Sequence, residues 1–532
     1  MLLEFIVEVN LLSKRKKENK KQNVSGYEIV RLNIREMQRE TAKFSMMQSN
    51  LNHDKIKIRS SEVVRIVKAL YPENVIDGGS KYPYVKDLIQ LKIGRAFNAY
   101  YDNLCNERKK DEDVGVFTLE IIDIDQDKNI KVLETIRYKR VQCGSSSVRN
   151  TKELYVREEL HNKVMEVLLT GIKPNAEYPS DKIAKYSTYL GLASTDSEPV
   201  SMPNICVVDD YKKDIEDAFD IVKQIKVGAN DFKYEVINFN DTKELTTEKD
   251  VNCFDGAGIV SYERAKIWAK ELGLNYVPSS FQIRVLNGIK GNLYTFPVTE
   301  YIEYLEEKGL SEHLKVKDLW NNIVDIKEQN IDVFITKSQF KFWDMYTSFE
   351  EWKNAFDTDV IFGDNSYKRT FNISEASRSL KKLKDELFAA YQPLQTLELS
   401  DDDIKQVTQP TVDMANELYK DIDKFIKYRG ISISSDLEES DDSEENVEDC
   451  ERIPWYYKAL AFDASLQYDP YIRKKIIADL ESLQRRIFMG KILLEGNYQT
   501  AMPDLLALME HICGLPVVGI LKKGEIYSNY WN

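Results

Sequence analysis

Histidine is scarce in this chain and cysteine is scattered. The four histidines, His53, His161, His313 and His511, share no ligand spacing, and the six cysteines, at positions 105, 143, 206, 253, 450 and 513, form no C-x-x-C pair. Neither a zinc site, nor a Ser-His-Asp arrangement, nor a disulfide framework is nominated, and the compartment reads as reducing. No G-x-x-x-x-G-K-(S/T) loop occurs, which argues against a P-loop ATPase. No apolar run approaches the roughly 20 residues that cross a bilayer. The start, Met1 to Val9, alternates acids with apolar residues and lacks a basic n-region and a cleavage site, so it is not a signal peptide. A cytoplasmic protein without a membrane partner is expected. No solenoid repeat is evident. Positive charge is also short: a formal net charge of -14 argues against a wholesale basic nucleic-acid coat, although a locally basic groove is compatible with an acidic exterior.

What is present describes a globular protein of several domains, with 532 residues of which 42% are hydrophobic, 11% aromatic and 30% charged. The run Ser13 to Lys21 is basic enough to touch phosphate and reads first as a solvated linker. From Ser61 to Lys109 the spacing of Val64, Ile66, Val67, Leu70, Leu88, Leu91, Ile93, Ala96 and Tyr100 predicts helices broken near Pro72 and Pro83. Val116–Ile122 and Ile130–Ile136 read as a hairpin joined by Asp123, Asp125, Asp127 and Asn129. That turn is not a calcium loop, because Lys128 stands where an EF-hand needs glycine. Acids simply favour an exposed hairpin tip.

The central block carries more chemistry. Asn204 to Val208 reads as an apolar strand ending in the paired acids Asp209 and Asp210. Gly256 and Gly258 flank Asp255 and allow positive torsions or close approach of another chain. Ser261 looks like the N-cap of a helix from Tyr262 to Leu272, which Gly273 closes. Phe281–Leu286 and Gly291–Thr295 alternate as strands, leaving Arg284 and Lys290 as isolated cations among apolar neighbours. A long cation on such a strand has a purpose more often than one on a surface helix. The plainer reading is a pair of solvent-facing strand residues. Pro297 to Lys491 reads as mostly helical, and its aromatics as core. Ser434 to Glu451 holds ten acids, a composition that does not order itself.

Cys253-Phe-Asp-Gly-Ala-Gly-Ile-Val-Ser261, Phe281-Gln282-Ile-Arg284 and Gly288-Ile-Lys290-Gly291 together resemble the D-G-x-G-x-(I/V)-S and F-Q-(I/V)-R…G-x-K-G signatures of cellular, eukaryotic-type RNA-dependent RNA polymerases and their bacterial and mobile-element relatives. The resemblance implies an α+β fold in which one double-psi β-barrel is formed by residues 201–300 and 491–532. A helical insertion, 301–490, carries the acidic loop 434–451, and a mixed α/β accessory region fills residues 1–200. It implies phosphate contacts for Arg284 and Lys290, and motif roles for Asp255, Gly256, Gly258, Gln282, Gly288 and Gly291. The place of Asp209 and Asp210 ahead of Asp255 fits the order in bacterial members. Gly519 to Ser528 is similar to the segment that completes the first barrel, with Lys522 and Lys523 either facing phosphate or sitting on an ordinary hairpin turn. Leu286-Asn287-Gly288 departs from the two adjacent glycines of eukaryotic members.

The family's Asp-x-Asp-Gly-Asp loop on a second barrel does not occur in these 532 residues. The expectation is a first-barrel portion, split or truncated, inactive alone as a nucleotidyltransferase. No cofactor is expected on this chain by itself, and Mg2+ only alongside a second polymerase chain. RNA and nucleoside triphosphates are the expected ligands. The alternative is a non-catalytic interaction or scaffold protein of a phage or conjugative element.

Overall fold

The computed structural model describes residues 26–38, 42–51, 54–77, 82–92, 115–125, 127–141, 152–172, 189–217, 221–228, 232–237, 246–377, 386–389, 391–421, 424, 454–497, 499–522 and 524–531. The basic run Ser13 to Lys21, the acidic segment Ser434 to Glu451 and Lys523 lie outside them. The chain divides into two units, one of Met1–Ser379 with Ala501–Asn532 and one of Leu380–Thr500. The architecture is mixed α+β with several sheets, none of which closes on itself among the described residues.

In the first unit, β1 (Gly26–Asn33), β2 (Lys43–Met47), β3 (Lys55–Arg59), β4 (Val75–Asp77), β5 (Pro83–Lys92), β6 (Val116–Ile124), β7 (Ile130–Arg140) and β8 (Lys152–Arg157) form an eight-stranded sheet in the order β2-β6-β7-β8-β5-β1-β3, with β4 on β5. The β6–β7 hairpin forms as its sequence predicts. The Asp125 carboxylate accepts the Asp127 and Asn129 amides at its tip, and Lys128 adopts φ +64°. Helix α1 (Glu62–Leu70) is capped by Ser61 and buries Val63, Val64, Ile66, Val67 and Leu70 beside α2 (Glu158–Leu169).

Residues 83–92 are a strand rather than the expected helix. β5 is an inner strand between β1 and β8, and both of its faces are covered: Val85 and Leu88 join one core cluster, Tyr84, Ile89 and Leu91 another. A strand buried on both sides loses the two-residue alternation and imitates helical spacing.

The second sheet has seven strands, in the order β10-β20-β15-β17-β16-β23-β9. They are β9 (Glu198–Val200), β10 (Ile205–Val208), β15 (Ala257–Ser261), β16 (Ser280–Val285), β17 (Ile289–Phe296), β20 (Val333–Thr336) and β23 (Phe371–Ala376). Helix α3 (Tyr262–Glu271) follows β15, its first turn capped by the Ser261 hydroxyl, which accepts the Arg264 amide at 3.1 Å. Trp268 on this helix is buried against Phe281 and Phe371, and its indole donates to the Ser201 carbonyl at 2.9 Å. Helices α4 (Val298–Glu307) and α5 (Phe349–Asp357) and four two-stranded ribbons complete this unit's described middle: β11 (Lys212–Asp217) with β14 (Thr246–Asn252), β12 (Ile221–Lys226) with β13 (Phe232–Ile237), β18 (Lys315–Lys317) with β19 (Ile323–Asp325), and β21 (Val360–Phe362) with β22 (Asn365–Tyr367).

Two expected boundaries move. The helical insertion does not begin at 301, because β20 and β23 belong to the sheet, and β20 is an inner strand between β10 and β15. Helices dominate only in the second unit, where α6 (Gln392–Thr396), α7 (Asp401–Lys420), α8 (Trp455–Phe462) and α9 (Pro470–Phe488) accompany the short pair β24 (Glu386–Phe388) and β25 (Leu493–Glu495). The closing segment also differs from a barrel strand. After α10 (Leu505–Ile512), residues 515–522 and 524–531 contain no strand. Asp504 organises this segment instead: one carboxylate oxygen caps α10 and the other accepts the amides of Ile520 and Leu521 at 2.6 and 3.0 Å.

Candidate functional site

The β16–β17 hairpin places Arg284 directly opposite Lys290. Directly opposed residues of an antiparallel pair share a face, and like charges so placed destabilise the sheet. Nothing in the hairpin neutralises them. Arg284 donates from Nη1 to the carbonyl of its own neighbour Ile283 at 2.7 Å, and its buried Nε has no partner. Burial lowers the Arg284 pKa. Lys290 is also lowered, first by burial and then by the charges of Lys341 and Arg284, with Asp255 acting in the opposite sense. Its ammonium lies 5.0 Å from the ring centroid of Tyr189, whose hydroxyl is raised by burial and by Asp255. Three cations and one exposed carboxylate therefore meet around a half-buried aromatic ring.

A loop after β20 locks the hairpin in place. Lys290 donates its amide to the Gln339 carbonyl at 3.0 Å, and Lys341 donates to the Gly288 carbonyl at 3.1 Å. The wholly buried Gln339 side chain donates to the carbonyls of Gly256 and Asn292 at 3.2 and 3.1 Å and accepts the Thr336 amide at 3.1 Å. Ser338 accepts the Gly256 amide at 2.9 Å, and the Ser338 amide donates to Asp210 at 2.9 Å. Thr336, Lys337, Ser338, Gln339 and Lys341, with Tyr189, were not singled out by sequence. Their signal is thin: two lysines four residues apart after a short apolar run.

The glycines of the motif divide by cause. A Cβ on Gly258 would meet Gln339 Oε1 at 2.4 Å and the Phe334 carbonyl at 2.5 Å, and one on Gly291 would meet Gln339 Nε2 at 2.5 Å. A Cβ on Gly288 would meet the Phe342 ring at 2.5 Å. Gly256 is open but holds φ +68°. Gln282 fastens β16 to β23, its Oε1 accepting the Ser374 hydroxyl at 2.9 Å. Asp209 faces Lys337 at 3.5 Å, and Asp210 receives the Ser338 amide, so the paired acids hold the loop. Lys522 lies elsewhere on an exposed turn, its amide donating to Glu525 at 2.9 Å, and no described contact joins it to the hairpin. Among the described residues no three histidine, cysteine or acidic side chains converge as metal ligands. No helix among them is long and apolar enough to cross a membrane.

The DNA-directed RNA polymerase YonO of Bacillus phage SPbeta is 24% identical over 387 residues, which are 71% of this chain and 38% of that protein. The chain thus spans well under half the length of the curated relative it matches. The RNA dependent RNA polymerase QDE-1 from Thielavia terrestris superimposes on 92% of this chain and 46% of its own, with 12% identity and a TM-score of 0.40. A family model described as RNA dependent RNA polymerase matches residues 127–453. That span is more than half of the 532 residues and contains Asp255, the opposed Arg284 and Lys290 and the Gln339 clamp, and the chain belongs to the RNA-dependent RNA polymerase family.

Proposed function

We propose that this chain is the phosphate-gripping part of a nucleic-acid-templated RNA polymerase, in which Arg284 and Lys290, joined by Lys341, contact the triphosphate of a nucleotide or the backbone of RNA. The observation that carries this reading is the opposed cation pair. Two like charges held face to face, half out of water and with one guanidinium nitrogen unpartnered, cost stability in the free protein. A polyphosphate removes that cost by supplying charge-assisted acceptors. In this reading β15, α3, β16 and β17 form part of a double-psi β-barrel, and the N-terminal sheet is an accessory part.

Two-metal phosphoryl transfer needs carboxylates that hold ions about 4 Å apart. With no Asp-x-Asp-Gly-Asp among the 532 residues, we assign those carboxylates to residues outside these 532, on a partner chain or on a continuation of this one, and the residues present to binding and orientation. Val518, Ile520, Ile526 and Trp531 are exposed and offer apolar surface for such a partner. The same surface supports a second reading, a scaffold protein of a phage or conjugative element with no nucleic-acid affinity of its own. Calorimetry with a nucleoside triphosphate and filter binding with RNA at low salt separate the two. Arg284→Ala and Lys290→Ala are each expected to weaken binding about 10- to 150-fold, the worth of a hydrogen bond to a charged group. Unchanged binding by both variants sinks the assignment. Synthesis is then tested by co-expression with a polypeptide bearing Asp-x-Asp-Gly-Asp, with RNA and DNA templates in separate arms because the phage relative is named as DNA-directed.

A further inference from the structure

The helical unit has a surface that its fold does not use. Helix α9 turns Ile472, Ile476, Leu480 and Leu483 inward onto Leu418, Tyr456, Tyr457 and Leu460. Its opposite side exposes Tyr471, Lys474, Lys475, Ala478, Ser482, Arg485 and Arg486. The helical repeat gathers these into one stripe about 20 Å long, cationic at both ends, with the small Ala478 and Ser482 between and the exposed Glu481 at its edge. At its beginning Tyr471 lies nearly parallel to Trp455, with ring centroids 6.1 Å apart and planes 17° apart, and the Lys475 ammonium sits 5.4 Å from the Tyr471 ring centroid. Both rings are largely open to solvent, Trp455 at 59% and Tyr471 at 54% exposure.

The acids flanking the rings are turned toward the protein. Asp469 accepts the amides of Tyr471 and Ile472, and Asp479 accepts the hydroxyls of Tyr456 and Tyr457, each at 2.7 Å. Among the described residues none of the stripe's four cations is held in an ion pair, and Arg485 makes only a bond to the Glu481 carbonyl. An isolated exposed ring needs no explanation. Paired open rings beside unpaired cations are a different matter, because single-stranded nucleic acid offers both a π-face for each ring and a phosphate for each cation.

We propose that Trp455 and Tyr471, with Lys474, Lys475, Arg485 and Arg486, form a docking platform for single-stranded nucleic acid on the helical unit. It stands on residues separate from the Arg284–Lys290 hairpin. The strand's bases stack on the two rings, and its backbone follows the stripe along α9.

The test is fluorescence anisotropy of the full chain with a labelled oligouridine, an oligothymidine and a duplex of matched length. Trp455→Ala and Tyr471→Ala, made singly, are each expected to weaken single-strand binding about 5- to 150-fold, the range for loss of a base–aromatic stack, and to leave duplex binding nearly unchanged. Loss on the RNA arm alone assigns the platform to RNA, and loss on both assigns it to single strands generally. Neutralising the four cations to Gln is expected to flatten the salt dependence of log affinity by about 2.8, at about 0.7 per phosphate contact. The ring effect should persist in a Lys290→Ala background, which keeps it distinct from any failure at the hairpin. Trp455→Phe with Tyr471→Phe should restore affinity. A ring variant with native circular dichroism and undiminished single-strand affinity overturns the proposal, as does equal weakening toward the duplex. Should the alanine variant unfold, thiouridine photo-crosslinking to the unaltered chain decides: adducts on residues 455–475 support the platform, and adducts confined elsewhere overturn it.

Discussion

Gly256 and Gly258 stand two residues apart in one motif, yet the structure gives them unequal reasons to be glycine, and alanine at each separates those reasons. At Gly258 an added Cβ lies 2.5 Å from the Phe334 carbonyl and 2.4 Å from Gln339 Oε1. An ordinary C···O approach is about 3.3 Å, so the Phe334 carbonyl must retreat by about 0.8 Å. Phe334 belongs to β20, whose pairing with β15 is only two residues wide, Ile259 with Phe334 and Val260 with Val333. Overpacking of this kind costs about 1–3 kcal/mol. Each of the three Gln339 side-chain bonds lost as that group swings aside adds about 1 kcal/mol. A destabilisation of about 4–6 kcal/mol results for Gly258→Ala.

At Gly256 the Cβ meets nothing within 4 Å, and only φ +68° opposes it. The left-handed conformation costs an L-residue about 1–2 kcal/mol, so Gly256→Ala should lose less than half as much. Gly256→Asn should lose less still, since Asn tolerates that region. Gly258→Asn should not recover. Urea titration followed by tryptophan emission, to which the buried Trp268 contributes, and by circular dichroism measures the difference. Equal losses at the two glycines, or a Gly258→Ala variant within about 1 kcal/mol of the parent, would refute the steric account.

Two further outcomes follow from the same contacts. Asp504→Ala removes the cap of α10 and both amide contacts to Ile520 and Leu521, so hydrogen exchange at those two amides should accelerate, with a cap loss of about 1 kcal/mol; unchanged protection would contradict the organising role of Asp504. Lys290 titrates below an ordinary lysine, for which burial is the first cause and Lys341 and Arg284 the next. Polyphosphate affinity should therefore begin to fall with rising pH before free lysine would deprotonate, and Lys341→Ala should move that fall upward. Between the lowered value and the ordinary one the unfolded chain binds more protons at this site, so this group's contribution to stability rises with pH in the same window. Affinity that stays flat through the ordinary lysine range would contradict the burial of Lys290.

Local grammar was legible wherever one residue decides the backbone. Ser261 caps α3, Asp125 folds the β6–β7 tip, and Arg284 and Lys290 fall on a hairpin as their alternation implies. Legibility failed where the environment decides. β5 imitates a helix because two core clusters cover its faces, and β20 hides inside a stretch that reads as helical because four wholly buried residues carry no alternation. Lys522 drew notice through its neighbours in a motif, and its segment turned out to be held by Asp504 rather than by a strand.

The loop from Thr336 to Phe342 joins these two cases. It reaches the hairpin through pairings far apart in sequence, β10 with β20 in parallel and an isolated antiparallel bridge from Ile289 to Phe340, so no local pattern announces it. Its imprint is nevertheless written elsewhere in the chain. Gly258 and Gly291 leave room for the Gln339 amide, and Gly288 leaves room for the Phe342 ring. The glycines that were readable as a motif are readable because a loop with no signal of its own packs against them. That loop in turn carries Lys341, the third positive charge beside Lys290. Glycines spaced along a strand pair that also bears isolated cations therefore point to a close-packed partner segment, and the cations of that segment belong to the same candidate site.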